Sequence, residues 1–228
     1  MILFDPTYVL VIIAMIMTVI VQAYMNSTFN KYQEVMSKSG LDASEAARII
    51  LEKNGITEVK VGRTPGNLTD HYAPKAKELN LSDTTYNSRS IASIGVAAHE
   101  AGHAIQDHNK MAILNFQMSV VPVVNFASKL SIPIIILGII LAMANVIYVG
   151  IILFSVTLVY QLITLPIEFN ASSNAIKTLR ENNIMDEAEL AGVKKVLTAA
   201  ALTYVAAAAS TILQLLRFVL IAKNSRKN

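Results

Sequence analysis

Between Met118 and Ile167 the chain runs for about fifty residues with one charged side chain, Lys129. No element of a water-soluble domain needs that much uninterrupted apolar surface. A helix crosses hydrocarbon in about 20 residues, so the stretch is long enough to cross twice. In lipid every backbone N–H and C=O must find its partner inside the helix, which leaves little else for it to fold into. The pair is predicted as Ser131–Ala144, extended upstream, and Ile147–Ile167, with Asn145 in the turn. Pro122, Pro133 and Pro166 are tolerable in helices of this kind.

Two further runs share the pattern. Tyr8 to Tyr24 is uncharged and apolar, with a tyrosine at each end where the headgroups would lie. A cleaved signal peptide would carry a basic segment ahead of it; none is present, so an uncleaved anchor is the better reading. Thr198 to Ala222 is alanine-rich and interrupted by Arg217, and is read as a fourth span, with an amphipathic or re-entrant helix as the alternative. With 54% apolar residues and 15% charged ones, at a mean hydropathy of +0.48, the expected fold class is a mainly α membrane protein. It would have about four transmembrane helices and a small α+β region. The expected organisation is an anchor over residues 1–25, a catalytic region over 26–117, a transmembrane hairpin over 118–167, a further functional helix over 168–197, and a last membrane helix with a basic tail over 198–228. A net charge of +3 is too small to argue for nucleic acid. The absence of cysteine excludes disulfides and thiolate metal sites.

The region 26–117 is polar and balanced. Asp42 and Glu45 form a capping box for a helix that Gly55 stops. Glu58–Val61, Leu68–Tyr72 and Lys77–Leu81 are strand candidates around a turn at Pro65–Asn67. Such a sheet just before a metal-binding helix is the zincin arrangement, in which an edge strand pairs with an extended peptide.

That helix is predicted to start after Asn87 or Ser88 and to run to about His108, with Ile91, Ile94, Ala98 and Ile105 as its apolar stripe. It carries His99-Glu100-Ala101-Gly102-His103, an H-E-x-x-H pattern. Histidines four apart lie one turn apart on one face, so both imidazoles can reach one ion. Glu100 beside them is placed to take a proton from a water activated there. Gly102 costs about 1 kcal/mol of helix stability relative to alanine, and its smallness would let another element come close.

A catalytic zinc needs a third protein ligand. Position 109 is Asn, so the extended motif with a third histidine is absent. His108 points roughly 140° away from the ligand face. Of the later acids, Glu181, Asp186, Glu187 and Glu189 sit in a charged turn, while Glu168 stands alone between Ile167 and Phe169. An isolated acid in apolar company has a specific partner, and Glu168 is assigned as the third ligand. His71 and Tyr204 have the right chemistry for an oxyanion donor, although helix packing is the better reading of Tyr204.

The chain resembles the YugP-type neutral zinc metallopeptidases of bacterial membranes. The likeness rests on Asp70-His71-Tyr72, Leu81-Ser82, Gly95 to Glu100, Gly102 to Gln106, Leu165-Pro166, Glu168-Phe169, Ala171-Ser172 and Leu202 to Ala207. That family is similar in layout to the HtpX membrane proteases, where membrane helices also separate H-E-x-x-H from a glutamate. The resemblance implies a gluzincin with one zinc ion on His99, His103 and Glu168, and Glu100 as general base. Two positions depart from the family pattern: Ala73 stands where an acid is usual and Asn170 where an aspartate is usual. The carboxylate that orients a zinc-bound histidine would then be missing, or replaced by Asn170 or Ser172.

The expected activity is zinc-dependent endopeptidase, with the bilayer and a peptide or protein substrate as partners. The rivals are a zinc-binding pseudoenzyme that serves as a membrane scaffold and a true intramembrane protease. In the latter the metal helix itself spans, which Arg89, Asp107 and Lys110 argue against. Lys31, Lys38, Lys110, Lys177, Arg180, Lys194 and Lys195 gather on the catalytic side and favour a cytoplasmic placement in the cell membrane. Four spans would put the basic tail on the other side, against the same rule.

Overall fold

The computed structural model describes residues 6–225. Its elements are α1 (Tyr8–Gln33), α2 (Ala43–Lys53), β1 (Lys60–Thr64), β2 (His71–Ala73), β3 (Glu78–Ser82), α3 (Ile91–His108), α4 (Ala112–Ile140), α5 (Ala144–Glu181) and α6 (Glu187–Ser225). Among the described residues α1, α4, α5 and α6 are long and apolar enough to cross a membrane. The fold is therefore mainly α, with four candidate membrane helices and one small sheet. Two compact units are present. One comprises Met1–Gln22, Phe116–Leu165 and Leu202–Asn228, and the other Ala23–Asn115 and Pro166–Ala201.

In the helical unit, glycines admit close helix approach and large apolar side chains pack around the crossing. A Cβ at Gly150 would fall 2.5 Å from Ile135 Cγ1 and 3.0 Å from Ser131 O. Small residues at such crossings let dispersion and interhelical bonds do what the hydrophobic effect cannot do in lipid. Ile135, Ile147, Ile151, Phe218 and Ala222 are buried around that contact. Gln117 Nε2 donates to Thr164 Oγ1 at 2.8 Å across α4 and α5. By contrast Ile12, Ile16, Val19 and Ile20 of α1 are half exposed or more, which suits a helix facing lipid on most sides.

The helix turn between α4 and α5 lies earlier than expected. Ala142 takes φ +52°, and Met143 N–H caps Gly138 O at 2.9 Å, so Asn145 falls inside the first turn of α5. Three helices also overrun the apolar stretches that announced them. α1 continues to Gln33 and buries Phe29, α4 begins at Ala112, and α5 carries Glu168 in mid-helix rather than after its end. Once a helix is nucleated, each further residue adds a backbone bond, so polar flanks with good helix formers extend it into the aqueous region.

In the second unit α2 is capped as its sequence requires. Asp42 Oδ1 accepts from Glu45 N–H and Glu45 Oε2 from Asp42 N–H, both at 2.9 Å. The same device opens α6, between Asp186 and Glu189. The sheet has the order β1-β3-β2, with β1 parallel and β2 antiparallel to β3. The strands sit one to three residues later than the periodicity suggests. Leu68 and Lys77 both adopt positive φ, 54° and 53°, which removes them from extended structure. The N-cap of α3 is Ser90, whose side chain accepts from Ser93 N–H. Ser88 is unavailable because its hydroxyl is spent on Ser90. The core of this unit joins Ile50, Leu79, Leu81, Ile94, Ala98, Leu179 and Val193, so the metal-motif helix is packed between α2 and the ends of α5 and α6.

The hairpin β2–β3 is tied to α3 through one carboxylate. Tyr72 Oη and Lys77 Nζ both donate to Asp107 Oδ2 at 2.6 Å. Burial raises the Asp107 pKa, but the bonds from Lys77 and Tyr72 outweigh it and leave the group below its ordinary value. Burial and the Asp107 charge hold the Tyr72 phenol far above its usual range. Because the folded carboxyl is the stronger acid, its contribution is complete above the unfolded pKa of about 4 and disappears as pH falls through the folded value. Asp107→Asn is expected to cost about 1–2 kcal/mol at pH 7 and to match wild type near pH 2. Thermal unfolding followed against pH checks this, and a deficit that persists in acid would refute the linkage.

Candidate metal centre

Helix periodicity puts His99 and His103 on one face of α3, and their rings meet edge to face with centroids 4.7 Å apart. Glu168 comes from α5, 9% exposed. His99 Nε2 lies 3.2 Å from His103 Nε2 and 3.2 Å from Glu168 Oε2. His103 Nε2 is 3.7 Å from the same oxygen. These are the three groups that could hold a metal ion among the described residues. A tetrahedral zinc with ligands at about 2.0–2.1 Å asks for donors roughly 3.3 Å apart, so the donor set fits in type and spacing.

The approach of α5 to α3 depends on Gly102. A Cβ there would stand 2.5 Å from Ala171 O and 3.2 Å from Ala171 Cα. The contact is backbone to backbone, one turn from Glu168, and any side chain would push the carboxylate away from the histidines.

A polar network behind the triad sets the histidine orientations. Gln106, 2% exposed, donates through Nε2 to Ile167 O at 2.7 Å and to Asn170 Oδ1 at 2.9 Å. Two carbonyl acceptors fix which end of the amide is nitrogen, so Gln106 Oε1 is left facing His103 Nδ1 at 3.0 Å. That oxygen accepts, which puts the proton on Nδ1 and leaves the Nε2 lone pair for an ion. Ser172 Oγ lies 3.2 Å from His99 Nδ1 and serves the other ring. Asn170 therefore reaches the site through Gln106, and Ser172 touches a histidine directly. Gln106 was not singled out by its chemistry. Its position three residues after His103, on the same helix face, is the signal that could have found it.

Burial disfavours the charged form of His103, but the nearby carboxylates of Glu168 and Glu100 outweigh that and hold its pKa up at about 9. A proton and a metal ion therefore compete for this ring at neutral pH.

Glu100 points toward the sheet, where its Oε2 accepts the Tyr72 N–H at 2.9 Å. Tyr72 is the middle residue of β2, an edge strand, and this N–H is turned away from β3. His71 is exposed, with Nδ1 bonded to Thr69 O at 2.9 Å, and no contact joins it to the triad. Tyr204 lies on α6 in the helical unit, whereas the triad and its network all belong to the other.

Gln106→Leu should weaken zinc binding about 10- to 100-fold, the range for losing a partner of a ligating histidine. Gln106→Glu, which keeps an acceptor for Nδ1–H, should restore part of it. Competition with a chromophoric chelator measures both; equal affinity in the leucine variant would rule out the orienting role.

A family model described as "Putative neutral zinc metallopeptidase" matches residues 7–223. The "Putative membrane protease YugP" of Bacillus subtilis (strain 168) is 46% identical over 205 residues, covering 90% of this chain and 91% of the relative. No solved structure matches the chain. Zinc is the metal that this family's description names, and a His, His, Glu donor set at these spacings is one that suits it. With the match running across both units and all four long helices, the chain belongs to this family.

Proposed function

We propose that this chain is a multi-pass membrane metalloendopeptidase of the gluzincin type, holding one zinc on His99, His103 and Glu168. The observation that carries the reading is the convergence of those three donors within 3.7 Å, with Glu100 on the same helix. When bound, zinc supplies the Lewis acidity that brings the pKa of a water toward about 7. Glu100 takes the proton of that water and passes it to the departing amine, so that a peptide bond is broken and one water consumed. The Tyr72 N–H holds the Glu100 carboxylate in place until substrate arrives. β2 leaves one edge unpaired within the sheet, and a substrate in extended form adds to that edge beside Glu100. The name of the Bacillus subtilis relative, a membrane protease, agrees with this activity, and the lysines and arginines near the catalytic region favour a cytoplasmic site. Since α3 is not among the four candidate spans, cleavage of exposed, unfolded polypeptide is favoured over cleavage inside a transmembrane segment.

The test is zinc content and casein cleavage by the detergent-purified full chain and by Glu168→Ala. Wild type should hold about one zinc and cut, and the variant should bind zinc at least 100-fold more weakly and not cut. Folded wild type without metal would end the reading. Zinc without cleavage of any unfolded protein would leave the scaffold role. Cleavage confined to spanning peptides would establish the intramembrane one.

A further inference from the structure

Arg217 lies in the apolar part of α6, and its environment is unusual for a charge. Its guanidinium stands over the Tyr8 ring at 4.3 Å from the centroid. Its Nε is buried without a hydrogen-bond partner, and it enters no ion pair among the described residues. Arginine does not give up its proton, so the charge cannot be avoided by titration. One aromatic face stabilises the cation but satisfies none of its five N–H donors.

The same side chain lines a cleft of about 360 Å³ within the helical unit. Five isoleucines of α4 with Phe218 and Ile221 of α6 form most of its wall, Gln214 adds one neutral polar side chain, and no acid is among its lining residues. Tyr8 is the first residue of α1 and Ile140 the last of α4, so one end of the cleft lies where helices begin and end. It extends inward along about two turns of α4. An apolar slot with one cation near its mouth matches an amphiphile with a single anionic group. In a bilayer, at the ends of spanning helices, the anion in supply is the phosphate of a lipid.

We propose that this cleft binds one anionic phospholipid, its phosphate on the Arg217 guanidinium and an acyl chain along the α4 isoleucines. The phosphate oxygens accept the in-plane N–H groups that Tyr8 leaves open, while the ring covers the guanidinium face. The site is separate from the metal centre and stands or falls independently of the proposed activity.

Native mass spectrometry of the delipidated full chain, titrated with phosphatidylglycerol, tests it. Wild type should take up one lipid saturably. Arg217→Leu should bind at least tenfold more weakly, the loss expected for a charge-assisted contact, and Arg217→Lys should recover part. Ile136→Trp, which fills the slot but keeps the cation, should also weaken binding, with the unfolding temperature of each lipid-free variant showing that it folds. Phosphatidylcholine should bind less tightly, and inorganic phosphate should not compete. Equal binding by Arg217→Leu and wild type would overturn the proposal, as would competition by inorganic phosphate, which would mark a site for a free anion.

Discussion

Glu100→Gln should bind zinc as tightly as wild type and lose peptide cleavage by a factor of about 10²–10⁴, the usual contribution of a general base. The two halves of this result come from different atoms. The proposed ligand atoms His99 Nε2, His103 Nε2 and Glu168 Oε2 are untouched by the change. The amide oxygen of glutamine can still accept the Tyr72 N–H that Glu100 accepts at 2.9 Å, so the local geometry of β2 and α3 has no reason to alter. What is lost is the ability to take up a proton. Zinc content by elemental mass spectrometry and casein fragments by electrophoresis report the two halves separately. If the variant cuts like wild type, another group is the base. If it loses zinc as well, Glu100 holds the site together and its assignment to proton transfer fails.

Gly102→Ala is expected to damage the metal site from a position that touches no ligand. In an isolated helix the change would add about 1 kcal/mol of stability. Here the new Cβ would lie 2.5 Å from Ala171 O, with Ala171 C and Cα both at 3.2 Å. Backbone cannot rotate out of the way as a side chain can, so α5 must move, and overpacking of this kind costs roughly 1–3 kcal/mol. Because Glu168 is three residues from the contact, the shift falls on the third donor. Zinc affinity should drop by tenfold or more, with a lower unfolding temperature despite the better helix former. The second variant is sharper. Ala171→Gly in the same chain should fail to rescue, since the clash is with main-chain atoms that glycine also has. Rescue by Ala171→Gly would mean that side-chain packing, and not backbone approach, sets the distance between α3 and α5.

The parts of this protein that could be read from its residues are those governed by contacts between near neighbours. Runs without charge become long helices because lipid offers the backbone no other partner. Asp42 with Glu45, and Asp186 with Glu189, open helices because a cap is a contact over three residues. His99 and His103 share a face because the helix period dictates it. Where local signals compete, the elements depart from the sequence pattern. The strands were displaced by the left-handed turns at Leu68 and Lys77, and Ser90 capped α3 because Ser88 was already engaged.

What the chain could not reveal on its own is how far apart distant groups lie. Chemistry alone singled out Glu168, an isolated acid in apolar surroundings. Its placement 3.2 Å from a histidine 69 positions away depends on two helices crossing where Gly102 admits the carbonyl of Ala171. The amide of Gln106, held by Ile167 O and Asn170 Oδ1, exists only once that crossing is made, and so does the tautomer it imposes on His103. His71 had a suitable side chain, and the fold leaves it exposed with Nδ1 on Thr69 O. Residue type and spacing thus determined which groups are able to bind metal. Only the tertiary structure decided which of them meet, because a coordination sphere tolerates errors of a few tenths of an ångström and sequence separation carries no information at that scale.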